Sequence, residues 1–150
     1  MKSTWRLDAP RQLVWQTVAA EPGQWSEWWP ELRSVRDVHL TPGLTGSKFT
    51  CTWQSHVGYS LDSVIEVGRI KPEIEAELFV VGDLKGRVVC AISEADGLTV
   101  VKVDWQVETT KAWMNRLAPV LAPIFVLSHH AVMWRGERGL RRYLANKKAQ

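Results

Sequence analysis

From residue 34 to residue 107 the sequence holds a period of two, interrupted only by short turns. Such alternation puts successive side chains on opposite faces of an extended chain, so it commits half of this protein to antiparallel strands with one apolar face each. "SVRDVHL" runs into the turn "TPGLTG", and "SKFTCTWQSH" sends Phe49, Cys51, Trp53 and Ser55 one way and Lys48, Thr50, Thr52, Gln54 and His56 the other. "SLDSVIEVGRI" sets Leu61, Ile65 and Val67 on one side, Lys71 and Pro72 turn, and "EIEAELFVV" opposes Ile74, Ala76, Leu78 and Val80 to Glu73, Glu75 and Glu77. After "GDLKG", Leu84, Val88, Cys90 and Ile92 share a face. "EADG" marks a tight hairpin, and Val101, Val103, Trp105 and Val107 complete the meander of six strands.

An apolar sheet face must be covered. The remaining long element is the segment from Thr110 to about Asn146, where Trp113, Leu117, Val120, Leu121, Ile124, Phe125, Leu127, Ser128, Ala131, Val132 and Leu140 mark a helix with a broad apolar stripe. Pro119 and Pro123 predict a kink, or a division into a short lead-in and a main helix. Upstream, "STWRLD" alternates as a further strand, with Asp8 as the expected N-cap of the short amphipathic helix "RQLVWQTVAAE". A second short helix or turn, "QWSEWWPEL", closes at Pro30. The predicted class is α+β: a curved antiparallel sheet of six or seven strands wrapped around one long C-terminal helix, in a single domain over residues 1–150.

A sheet curved around one helix encloses more volume than the helix fills. On the concave face small residues (Cys51, Ser55, Gly86, Cys90) stand beside Trp53 and Trp105, which predicts a ligand-sized apolar hollow. Nine tryptophans, against two tyrosines and three phenylalanines, offer indoles to line such gaps, with a closed core filled by those indoles as the alternative.

The order strand, two short helices, six strands, long helix, together with "W..WWP.L..V", "G..G" and "GDLKG", resembles the SRPBCC or START-like superfamily and, within it, the polyketide cyclase/dehydrase-type group. The likeness spans residues 2 to 146. It implies a helix-grip fold that binds a hydrophobic small molecule inside, with an entrance near the short helices and strand loops. It also implies that Trp25, Trp28 and Trp29 are partly a structural wedge and partly pocket wall. If Trp28 and Trp29 are helical they diverge by about 100°, and only one faces inward. The residues expected at the ligand are Trp28, Trp29, Phe49, Trp53, Tyr59, Trp105, Leu117, Phe125 and His129.

Chemistry has less support. No nucleophile elbow, phosphate loop or metal-spaced His/Cys cluster occurs, and His129 and His130, adjacent on a helix, do not readily share a metal. Arg87 and Asp62 fall on the convex face by alternation, and the Glu73, Glu75 and Glu77 row reads as solvated surface. His129 and Tyr59 remain as weak acid–base candidates for an aromatase/cyclase-like alternative. A carrier or sensor of an apolar or aromatic ligand, with no cofactor and no metal, is the leading expectation. A third reading is protein or nucleic-acid interaction through Arg135, Arg138, Arg141, Arg142, Lys147 and Lys148 near the C-terminus, which otherwise oppose the helix dipole. Nucleic acid is not the expected partner, since only Tyr143 interleaves these cations. Cys51 and Cys90 read as small buried hydrophobes. With no signal-like apolar run and no membrane-length stretch, a cytoplasmic location is expected, and Glu27 and Glu31 argue against membrane insertion of the tryptophan segment.

Overall fold

Seven strands form one antiparallel sheet in the order β1-β7-β6-β5-β4-β3-β2 in a computed structural model that describes residues 1–54 and 59–148, without the side chains of 121–124, 126 and 148. The strands are β1 (Lys2–Leu7), β2 (Leu32–His39), β3 (Lys48–Gln54), β4 (Ser60–Lys71), β5 (Glu75–Gly82), β6 (Leu84–Ala95) and β7 (Leu98–Thr109). β2 to β7 pair in chain order, and β1 returns to pair with β7, with Trp5 opposite Val101. The sheet curls as a half-barrel against a C-terminal helix, α2 (Ala112–Lys148), with short helices after β1. This is the sheet wrapped around one long helix that the alternation predicts, and the helix-grip fold that the resemblance implies. Irregular register between Leu32 and Ser34, Arg36 and His39, and Val67 and Ile70 bends the strands.

Local chemistry accounts for the turns. Asp96 and Gly97, both at positive φ, form a two-residue link between the paired Ala95 and Leu98, the geometry that matches strand twist. In the 41–47 turn Thr41 Oγ1 donates to the Thr45 carbonyl at 2.6 Å, and the Thr41 amide donates to Ser47 Oγ at 2.9 Å. The buried sheet face carries Phe49, Cys51, Ile65, Val67, Ala76, Val80, Val88, Ile92, Val101 and Val103.

Several local expectations are corrected. Asp8 does not cap the first helix, α1 (Arg11–Trp15): extended Pro10 precedes it without a side-chain cap, and a π-helical turn, Gln16–Ala20, follows. Ile74 lies in the turn before β5 and is exposed, because Glu73 takes positive φ and the strand starts only at Glu75. The segment Pro22–Glu27 is a 3₁₀ helix that ends before the tryptophan pair. Trp28, at φ −124°, has left helical geometry, so Trp28 and Trp29 do not diverge. Both are buried and stack with planes 16° apart. α2 is one helical element through Pro119 and Pro123 rather than two. Its apolar residues occupy two faces: Met114, Met133, Leu140 and Leu144 are buried, whereas Trp113, Leu117, Val120 and Leu127 of the predicted stripe are exposed. Ser55 and His56 of the third strand, and the Leu121 and Ile124 side chains, lie outside the described residues.

Two glycines set how closely α2 meets the 22–31 segment. A Cβ on Gly136 would stand 2.8 Å from the Trp29 indole, and one on Gly139 would collide with the Trp28 carbonyl oxygen. Trp29 Nε1 donates to the Val132 carbonyl at 3.1 Å, tying the indole to the helix it packs on.

Candidate functional site

Between the sheet and α2 lies a cavity of about 270 Å³. The sheet contributes Trp53 and Gln54 from the end of β3, Leu61 from β4, Leu84 from β6, and Trp105, Val107 and Thr109 from β7, with Tyr59 just before β4. Pairing explains why these meet: Trp53 lies opposite Leu61, and Leu84 lies opposite Thr109. α2 contributes Met114, Phe125, Ser128, His129, Val132 and Met133, and Met1 and Glu31 complete the wall.

Of the residues expected at a ligand, Trp53, Tyr59, Trp105, Phe125 and His129 line this cavity together. Trp28, Trp29 and Phe49 are placed in the packed core, and Leu117 on the outer face of α2. The indoles of the tryptophan segment stand behind the wall. Trp29 meets Trp53 edge-on at 4.9 Å, Trp53 meets Trp105 at 6.2 Å, and Trp105 meets the His129 imidazole at 5.7 Å. On the far side Trp5 packs edge-on against Trp29 at 5.4 Å, and Trp25 against Phe49 at 5.3 Å. Edge-to-face contacts of this kind add roughly 0.5–1.5 kcal/mol each beyond area burial and hold the rings in fixed orientations. The cavity therefore has one stiff aromatic wall.

Alternation could have supplied Leu61 and Val107, which share faces with Ile65 and Trp105. Glu31 had no such signal. Its carboxylate is only 2% exposed and accepts from Arg135 Nη1 at 3.0 Å. A lone glutamate after a proline normally reads as solvated, and only the packing of the 28–32 segment on α2 buries it.

His129 is the polar group of clearest character. Burial first, then the N-terminal ammonium and His130, lower its pKa from 6.5 to about 4. Its Nε2 is buried without a hydrogen-bond partner among the described residues. It is therefore a neutral imidazole at neutral pH. Because the folded state binds its proton less readily than the unfolded state, the sign is fixed. Its full contribution is present above the unfolded pKa of about 6.5, and stability is lost as pH falls from there toward about 4. Urea unfolding at pH 7.5 and pH 4.5 is expected to show a smaller acid loss for His129→Gln than for the parent chain. Equal losses would place the acid sensitivity elsewhere.

The other titratable candidates stand apart. Arg87 Nε pairs with Glu77 Oε2 at 2.7 Å, and Asp62 Oδ1 accepts from Thr52 Oγ1 at 2.6 Å, both on the convex face. Cys51 and Cys90 are free thiols whose pKa burial raises to about 12, so neither is a ready nucleophile. They sit on β3 and β6, with β4 and β5 between them. Among the described residues no three His, Cys, Asp or Glu side chains come together as a metal-ligand set.

Comparison with solved structures agrees with this fold. A START superfamily protein from Mycobacterium smegmatis superposes with a TM-score of 0.75 at 15% identity, over 97% of each chain. The chain has the START-like (SRPBCC) fold. A protein from Thermus thermophilus aligns with a TM-score of 0.79 at 13% identity, over 98% of this chain and 97% of the other. Ginseng major latex-like protein 151 from Panax ginseng aligns with a TM-score of 0.67 at 14% identity, over 96% of this chain and 95% of that one. No family model and no curated protein sequence matches the chain. At these identities the likeness is one of fold.

Proposed function

We propose that this START-like chain binds a compact hydrophobic or aromatic small molecule, lipid-like or polyketide-like, as a carrier or sensor that needs no cofactor. The carrying observation is the cavity itself: about 270 Å³, walled by Trp53, Trp105, Phe125, Met114 and Val132, with polar groups confined to a few side chains such as Tyr59 and His129. Apolar cavities of about 150 Å³ already hold benzene, so this volume suits a small ring system. Removing apolar surface from water contributes roughly 25 cal/mol per Å², and the fixed aromatic wall limits the ordering cost that binding incurs.

Titration with naphthalene derivatives, followed by tryptophan quenching and thermal shift, tests the reading alongside native mass spectrometry of freshly purified protein. Quenching and a raised melting temperature are expected. Ser128→Trp, which fills the cavity from α2, is expected to weaken binding roughly tenfold or more. A chain that neither binds such probes nor carries a co-purified compound sinks the proposal.

The neutral imidazole of His129 at the cavity wall favours a second reading, an aromatase/cyclase-like enzyme acting on a polyketide-type chain in the same space. Turnover of a poly-β-ketone thioester that collapses in His129→Ala supports it. Binding with no turnover leaves the carrier.

A further inference from the structure

α2 is apolar on two faces, and the fold buries only one of them, although Trp113 of the second meets Tyr59 edge-on at 5.9 Å. Met114, Met133, Leu140 and Leu144 are buried, and Phe125, His129 and Val132 line the cavity. Trp113, Leu117, Val120, Leu127 and Trp134 form a second set, all exposed, with Val120 at 76% and Leu127 at 69%. Their spacing of four, three, seven and seven places them in one arc of roughly 100° along about 30 Å of helix. A row of exposed large apolar side chains of this length, among the described residues, marks an interaction site.

Charge selects the occupant. Between Ala112 and Lys148 the helix carries Arg116, Arg135, Arg138, Arg141, Arg142, Lys147 and Lys148 against one acid, Glu137. Arg135 is committed to Glu31 and Arg141 to Glu137. Arg116, Arg138 and Arg142 are exposed on the arc of the apolar set, and the Arg138 guanidinium lies 4.7 Å over the Trp134 ring. A second copy would oppose an equally cationic helix. A nucleic-acid backbone would satisfy the cations and leave Leu117, Val120 and Leu127 in water. No described helix is long and apolar enough to cross a membrane, so a lipid partner would be met in the plane of its surface.

We propose that the outward face of α2 docks flat on an anionic lipid bilayer, with Val120 and Leu127 at the acyl boundary and Trp113, Trp134 and the neighbouring arginines among the headgroups. Tryptophan favours that interfacial depth, and anionic headgroups attract the arginines. The same helix walls the cavity on its other side, so the bilayer would lie one helix thickness from that cavity. The proposal stands on the surface alone and does not depend on what the cavity binds.

Flotation of the full chain with vesicles of phosphatidylcholine, and of phosphatidylcholine mixed with phosphatidylglycerol, tests it at low and high salt. Binding to the mixed vesicles only is expected, weakened at high salt. The double substitution Leu127→Ser, Trp134→Ser should reduce it roughly tenfold or more, because Leu127 supplies apolar area at the acyl boundary and Trp134 anchors at headgroup depth. A thermal melt of the double variant, unchanged because both positions are exposed, shows that folding is not the cause. If that variant melts early, Arg138→Glu with Arg142→Glu makes the same test through charge. No binding to anionic vesicles overturns the proposal, as does binding that both double variants retain. A dimer in sedimentation velocity that Leu127→Ser, Trp134→Ser dissolves, without vesicle binding, gives the face to a second copy. Salt-labile binding to duplex DNA without vesicle binding gives it to nucleic acid. Either outcome overturns the lipid assignment.

Discussion

Trp29→Ala is expected to lower the unfolding free energy by about 3–5 kcal/mol, the cost of emptying a large aromatic site in a packed core. The indole is buried, stacked on Trp28, and edge-on to both Trp5 and Trp53. Its Nε1 also donates to the Val132 carbonyl, so truncation removes an anchor between the 28–32 segment and α2. Urea denaturation read by far-UV circular dichroism measures the loss. Trp134→Ala serves as the internal comparison, because its indole is exposed and contacts Arg138 rather than the core. It is expected to cost no more than about 0.5 kcal/mol. Similar losses for the two variants would mean that Trp29 is not the wedge its contacts describe.

Gly139→Ala provides the second test, and here the direction of the effect carries the information. In the interior of an exposed helix, alanine in place of glycine stabilises by about 1 kcal/mol. At Gly139 the added methyl would overlap the Trp28 carbonyl oxygen, a backbone atom that cannot swing aside as a side chain can. Overpacking of this kind typically costs about 1–3 kcal/mol, and with backbone as the obstacle the upper part of that range is expected. Thermal unfolding should therefore show a lower melting temperature despite the gain in helix propensity. A raised melting temperature would show that α2 does not approach the tryptophan segment this closely. Gly136→Ala, whose methyl would meet the Trp29 ring instead, is expected to cost less, since a ring can shift.

The two substitutions explain why the tryptophan segment was only half legible. Its spacing marks an indole-rich wedge, but whether the indoles face a ligand depends on the surface they meet. Trp28 and Trp29 leave helical geometry together, stack, and settle on two glycines more than a hundred residues away in sequence. No local pattern in "SEWWPEL" contains that information. Glu31 behaves in the same way. Three positions after Trp28 it reads as a solvated acid, and burial against α2 with Arg135 turns it into part of a cavity wall.

The strands were legible because a half-buried strand writes its environment into every second residue. Trp53, Trp105 and Leu61 follow the alternation that puts Ile65 and Val101 in the core. The C-terminal helix was legible as a helix but not in its orientation. Its apolar residues cover more than one face, and periodicity cannot say which of two faces a sheet will take. Pairing with the sheet gave Met114, His129 and Met133 to the interior and left Leu117, Val120 and Leu127 outside. Alternation and turn chemistry, which act between near neighbours, thus determined by themselves the meander from β2 to β7 and the presence of a covering helix, whereas the return of β1 to pair with β7 joins distant segments. The wall of the cavity and the helix's second apolar face were decided only when distant segments packed, because the position of a side chain there depends on contacts that short-range patterns do not encode.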